Sequence, residues 1–197
     1  MQNYEALICE AEKELAPVFE RLNAIETENT RRVLRAFQKH RVSARNFAPT
    51  TGYGYDDIGR DALSEIIAEV FGAEKALMRP QIASGTHALA LCLYGMLRPG
   101  EALLSAAGKP YDTLEEVIGI AGEAGSGSLK DFGVGYKQVE LKNGALDEEG
   151  ILNAITPDVK LVLIQRSRGY DWRPSLSVDE IDRMIERIHA AYPGVNV

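Results

Sequence analysis

Apolar positions recur at helical spacing in the first third of the chain and in alternating strand and helix runs after it. From Tyr4 to about Asn23, Leu7, Ile8, Ala11, Leu15, Val18, Phe19 and Leu22 form one stripe, which predicts a helix. Pro17 falls inside that stripe and predicts a kink or a division, because proline removes a backbone donor. A second helix is predicted from about Glu26 to His40, with Val33, Leu34 and Phe37 on a narrow apolar face and Thr27, Asn29 and Thr30 able to cap its start. Such a narrow stripe suits helices that dock on the domain body or on another subunit. A third helix is predicted over about Asp61–Phe71, with Leu63, Ile66, Ile67 and Val70 inward and Gly72 as its stop.

From residue 75 onward the two periods alternate. Lys75–Met78 reads as a strand, His87–Leu97 as a helix, Ala102–Ser105 as a short buried strand and Leu114–Ile120 as a helix. Tyr136–Leu141 alternates like an edge strand, and Asp147–Ile155 is a short helix closed by Thr156-Pro157. Val159–Gln165 is an apolar run of strand length and predicts a central strand buried on both faces. Ser177 with Glu180 forms a capping box for a last helix to about Tyr192, and Val195–Val197 opens a further strand. This alternation predicts an α/β fold with a mainly parallel sheet. The glycine- and serine-rich stretch Gly119–Gly135 reads as a flexible surface loop.

Candidate chemistry centres on Gln81–Leu89, which passes from the first predicted strand into a helix. The first N–H groups of a helix lack intrahelical partners and, with the helix dipole, make an anion site. Ser84 can cap that helix, Gly85 lets a ligand approach the backbone, and Thr86 follows in the first turn. A plain helix cap is the competing reading. The glycine- and tyrosine-rich run Gly52–Asp61 reads as an extended loop in which Tyr53, Tyr55 and Arg60 could meet an anion; alternatively, the tyrosines pack the loop down and Arg60 pairs with Asp56 or Asp57. Tyr111 follows the strand at Ala102–Ser105, at the strand end where open α/β sheets bind ligands. Gln165–Pro174 leaves the strand at Val159 as an unusually polar and aromatic connection.

Composition narrows the classes. The 197 residues are 45% hydrophobic and 26% charged, as in ordinary globular domains. A net charge of −7 and a pI of about 5.1 argue against nucleic-acid or anionic-membrane binding. No apolar run reaches the ~20 residues of a membrane span, and no signal or transit peptide is apparent, so a cytoplasmic protein is expected. Cys9 and Cys92 have no metal-ligand spacing and are expected as reduced core or boundary residues.

Four segments in this order, Gly52–Asp61, Gly72-Ala73-Glu74, Ile82–Leu89 and Gln165–Tyr170, resemble those of the methionine gamma-lyase-related "aluminium resistance protein" family. That family belongs to the fold-type I pyridoxal-phosphate enzymes, near the cystathionine-type lyases. The resemblance implies an N-terminal helical arm over residues 1–42 and, over 43–197, the first part of the large cofactor-binding domain, with helices on both faces of its sheet. It implies that Gly85 and Thr86 give N–H groups to the cofactor phosphate with Ser84 close by, and that Tyr111 stacks on the pyridine ring. Tyr55, Arg60 and, less directly, Tyr53 resemble a loop that reaches the cofactor of a neighbouring subunit, which implies a homodimer or tetramer. Ser167 or Arg168 would approach the ring oxygen or the substrate; His87 is expected to pack beside the site.

Pyridoxal-phosphate chemistry also needs a lysine and an acid at the pyridine nitrogen. None of the eight lysines follows the family's motif; Lys109, near Tyr111, is the one that comes nearest and is rejected. The catalytic lysine and aspartate are therefore expected beyond Val197, in a longer enzyme. The function implied is elimination across a C–S bond of a sulfur amino acid. An aminotransferase or aldolase on the same fold, or a non-catalytic phosphate-binding or assembly module, are the alternatives.

Overall fold

A computed structural model describes residues 4–197, which fall into two compact units divided between residues 81 and 82. The first unit opens with α1 (Tyr4–Lys39), one unbroken helix of 36 residues that passes through Pro17. The predicted division into two helices is thus corrected. A proline forfeits one backbone hydrogen bond, and the strong helix formers around it (Ala11 to Ala16) carry the helix across. Arg41, at φ 51°, ends the helix in the left-handed conformation, with the Val42 N–H returning to the Phe37 carbonyl at 3.1 Å. Of α1 only Ala36 is buried, and its apolar stripe, Leu7, Ile8, Leu15, Phe19 and Leu22 included, lies exposed.

A 3-10 turn (Ala44–Phe47) leads to α2 (Ile58–Phe71). This helix starts three residues earlier than its apolar pattern predicts because Asp57 caps it, its carboxylate accepting from the Arg60 N–H at 3.1 Å. Gly72, at φ 65°, stops it as expected. The end of α1 is tied to α2 by His40, whose ring nitrogens lie 3.1 Å from Glu65 and 2.9 Å from Glu69, and by Lys39 at 2.9 Å from Glu69. Gly59 is required on α2 because a Cβ there would overlap the Asn46 carbonyl oxygen. Residues 75–78 form no strand: Leu77 and Met78 are exposed and find no ladder partner among the described residues. A short segment with three apolar residues does not make a strand without a neighbour to bond.

The second unit alternates α3 (Gly85–Met96), β1 (Ala102–Ser105), α4 (Asp112–Ile118), β2 (Gly135–Gln138), α5 (Glu148–Ala154), β3 (Val159–Leu163) and α6 (Val178–Ala191). The three strands form a parallel sheet in the order β2-β1-β3. The α/β architecture and the edge position of β2 match the sequence pattern. The central strand is β1 rather than β3. On its other side β3 meets Val195–Val197, where the expected strand opens: Asn196 makes a parallel bridge to Leu161, accepting from the Val162 N–H at 2.8 Å and donating to the Lys160 carbonyl at 3.0 Å. Alternate residues of β1 face opposite ways. Leu104 packs with Val162, Ile151, Met184 and Ile188, while Leu103 packs with Leu161, Leu93, Leu114 and Ile118. Helices α5 and α6 thus cover one face, and α3 and α4 the other.

The glycine-rich stretch after α4 is not a loose loop. The Asp131 carboxylate accepts from the N–H groups of Gly125, Gly127 and Ser128 and from the Ser128 hydroxyl, each at 3.0 Å, while Leu129 and Val134 are buried. These donors, the Gly125 and Ser128 amides foremost, hold the Asp131 carboxyl at about 2. Both cysteines are exposed rather than in the core, because Cys9 lies on the uncovered α1 and Cys92 on the outer side of α3. Among the described residues no helix is long and apolar enough to cross a membrane.

Two outcomes test this packing. A helical Gly→Ala change ordinarily gains about 1 kcal/mol. Gly59→Ala is instead expected to lose about 2 kcal/mol in urea unfolding, since the overlap with a backbone oxygen outweighs propensity. The depressed Asp131 value means that its carboxylate braces the loop at all pH above the ordinary aspartate range, and that the brace fades as pH falls through about 2. Hydrogen exchange at the Ser128 amide is expected to lose protection between pH 4 and pH 2; protection independent of pH over that range would refute the assignment.

Candidate functional site

The carboxyl ends of β1 and β3 in the second unit open onto a cavity of about 490 Å³. Its lining includes Lys109, Tyr111, Asp112, Glu140, Arg168, Tyr170 and Arg173, a mixture of both charges with aromatic rings. Ser105, the last residue of β1, is buried and donates its hydroxyl to the Gly108 carbonyl at 2.6 Å, which turns the chain sharply toward Tyr111. Tyr111 stands at the N-cap position of α4, and the residue is 37% exposed. The neighbouring Tyr170 phenol, then the Asp112 carboxylate, hold the Tyr111 hydroxyl above its ordinary value.

Helix α3 begins at the small-residue turn singled out from the sequence. The Ser84 hydroxyl accepts from the His87 N–H at 3.1 Å, and the Ser84 carbonyl takes the Ala88 N–H at 3.0 Å. The next donors, the N–H groups of Gly85 and Thr86, belong to the first turn and have no intrahelical acceptor. The space in front of the Gly85 Cα is open, so an anion can approach that backbone directly. His87 packs at the helix start, with the Ala83 N–H directed at its Nδ1 at 3.3 Å. The Thr86 hydroxyl is 2.8 Å from that of Thr113, in the first turn of α4. The start of α3 is therefore bonded directly to the first turn of α4, the helix that follows Tyr111.

Beyond β3 the sequence placed Ser167 and Arg168 near the site. Arg168 is among the cavity-lining residues; Ser167 is not, and its carbonyl instead accepts from the Gln165 amide at 3.2 Å and from the Arg173 guanidinium at 2.8 Å. The residues that organise this connection were missed. Gln165 accepts from the Tyr111 N–H at 2.7 Å, and Arg173 also holds the Gln165 carbonyl at 3.2 Å. Gly169, at φ 59°, passes so close to Tyr111 that a Cβ would lie 3.1 Å from its ring. The sequence signal for them was the density of polar residues after an apolar strand, which marks a site without assigning roles. Lys109 lies at the cavity with its ammonium 2.9 Å from Glu115, and is mostly exposed.

In the first unit, the loop before α2 divides the two readings made of it. Arg60 pairs with Asp57, Nε to Oδ2 at 3.0 Å, and reaches the Gly52 carbonyl at 3.4 Å. Thr50 adds a hydroxyl to the same carboxylate at 3.2 Å. Tyr53 and Tyr55, however, are 82% and 80% exposed and do not pack the loop down. Gly52, Gly54 and Asp56 all take positive φ, which turns the tyrosines outward on a tightly wound backbone.

Residues 4–197 match the family described as methionine gamma-lyase. The chain is 51% identical over 177 residues to the "uncharacterized protein YnbB" of Bacillus subtilis (strain 168), covering 89% of this chain and 42% of that protein. Among solved structures it superposes on a "putative cystathionine beta-lyase involved in aluminum resistance" from Listeria innocua with a TM-score of 0.94 at 43% identity, over 99% of this chain and 48% of that one. A "carbon-sulfur lyase involved in aluminum resistance" from Clostridium novyi NT gives a TM-score of 0.89 at 41% identity, over 94% of this chain and 44% of the other. The chain spans less than half the length of each of these proteins.

The cap at the start of α3 can be tested by two substitutions. Ser84→Ala strips the His87 N–H of its acceptor and is expected to cost about 1 kcal/mol in urea unfolding, whereas Ser84→Gly should cost only a few tenths. No loss in Ser84→Ala would show that the hydroxyl caps nothing.

Proposed function

We propose, on the premise that this chain belongs to the methionine gamma-lyase family, that the full-length protein is a pyridoxal-phosphate-dependent lyase cleaving a C–S bond of a cysteine- or methionine-like amino acid. The observation that carries this reading is the open start of α3 bonded, through Thr86 and Thr113, to the helix that presents Tyr111 at the sheet's carboxyl edge. Those residues fit the cofactor: donors in the first turn, open space before Gly85, and an aromatic ring close by.

In this reading the Gly85 and Thr86 N–H groups bind the phosphate, and Ser84 holds the helix start that aims them. The Tyr111 ring lies against the pyridine and fixes its plane. Arg168, or the Ser167 hydroxyl, approaches the ring oxygen or the substrate from the end of β3. Tyr55 and Arg60 serve the cofactor of a second subunit in a homo-oligomer; the outward tyrosines support this, since nothing in their own unit covers them. Residues 1–42 then form an arm, residues 43–197 the first part of a fold-type I large domain, and the protein works in the cytoplasm. The bound cofactor would supply an electron sink for the carbanion formed at Cα. The lysine that holds the cofactor covalently and the acid at its pyridine nitrogen are assigned to sequence outside these 197 residues. The ion pair of Lys109 with Glu115 supports leaving that lysine out of the role.

Full-length protein supplied with pyridoxal phosphate and screened against sulfur amino acids is expected to release ammonia, a 2-oxo acid and a thiol in equal amounts. Oxo acid without free ammonia would indicate an aminotransferase instead, and the lack of a borohydride-reducible visible band would overturn the cofactor assignment.

A further inference from the structure

One side chain joins the two strand ends of the cavity. Gln165, just past β3, offers its Oε1 to the Tyr111 N–H at 2.7 Å and its Nε2 to the Ser167 carbonyl at 3.2 Å. The two ends of the first bond are 54 residues apart in sequence, so this contact sets tertiary geometry rather than a local turn. We propose that Gln165 is the positioning residue for Tyr111, fixing where that ring stands over the cavity. Its use by a ring-bearing ligand rests on the cofactor reading given above.

The chemistry at this point calls for an amide. The Tyr111 N–H needs an acceptor and the Ser167 carbonyl needs a donor, and a primary amide supplies both from one side-chain end. Glutamate lacks the donor, leucine lacks both groups, and asparagine is one methylene short. Arg173 holds the carbonyls of Gln165 and Ser167, at 3.2 and 2.8 Å, so the backbone from which Gln165 reaches out is itself clamped. On the other side, Gly169 lets the returning loop press against the Tyr111 ring, where a Cβ would stand 3.1 Å from Cε2. Tyr111 is thus held by its backbone from Gln165 and by its ring from Gly169.

The test uses full-length protein with two readouts, amide hydrogen exchange at Tyr111 in the cofactor-free state and equilibrium affinity for pyridoxal phosphate. Gln165→Leu is expected to speed Tyr111 exchange and to weaken cofactor binding, each by about three- to tenfold, the effect of one lost hydrogen bond. Gln165→Glu, which keeps the acceptor, should restore part of the Tyr111 protection, and it serves also if the leucine variant does not fold. Unchanged Tyr111 exchange in both variants overturns the inference, as does a loss of protection spread evenly over α4 and β3. Tyr111→Ala separates the two claims. If it binds pyridoxal phosphate as tightly as wild type while Gln165→Leu still exposes the Tyr111 amide, the stacking role of the Tyr111 ring fails and the positioning role stands. If wild type itself binds no pyridoxal phosphate, the cofactor reading fails and the exchange result still decides the positioning role.

Discussion

The second unit depends on one constraint: a parallel sheet must be covered on both faces. Leu103 and Leu104, adjacent on β1, point to opposite sides, and both are completely shielded from solvent. Each such leucine contributes about 2–3 kcal/mol by leaving water, but only if helices stand on both sides to receive it. That requirement forces the chain to cross the sheet between strands, and each crossover leaves its strand through a loop at the carboxyl edge. Tyr111 and Gln165 occupy two of those loops. The cavity is therefore a by-product of the covering rule, furnished afterwards with polar groups.

What was legible in the sequence was what is local. The caps at Ser84 and Ser177, the stop at Gly72 and the alternation of periods are all settled within a few residues, and the structure repeats them. The Glu180 side chain, however, accepts from the Leu146 N–H at 2.8 Å and does not complete the expected capping box. Asp57 shows the limit of this, because its cap extends α2 back into residues that carry no apolar pattern. Contacts between distant segments were not legible. Gln165 reads as one more polar residue until β3 and β1 are laid side by side, and the loop at Gly119–Gly135 reads as slack until Asp131 is seen gathering its amides. The misread strand at Lys75–Met78 has the same origin, since a strand is defined by a neighbour that sequence does not display. Pro17 misled in the other direction: its local penalty is real, but a helix of this length absorbs it.

The two units handle apolar surface differently. In the second, burial is nearly symmetrical about the sheet. In the first, α1 is stripe-bearing and long, yet its packing is confined to its last turns, where His40 and Lys39 meet the glutamates of α2. Family membership places this chain among proteins more than twice its length, and the uncovered stripe, the exposed α3 leucines and the outward tyrosines are the surfaces on which any further covering would have to fall.

The hydroxyl-to-hydroxyl bond between Thr86 and Thr113 has a consequence for how any elongated ligand is held. It ties the start of α3 to the start of α4, so that in the proposed reading the turn that takes the phosphate and the helix that presents the Tyr111 ring are bonded to each other. On that reading, a cofactor that docks its phosphate meets the ring as a second contact within one molecule, at a high effective concentration instead of one recruited anew. Fragments carrying only the anion or only the ring would each bind weakly, and their joined form more tightly than the two affinities suggest. In the proposed reading, two threonine side chains, neither of which needs to touch the ring, thereby couple the two ends of the ligand's seat.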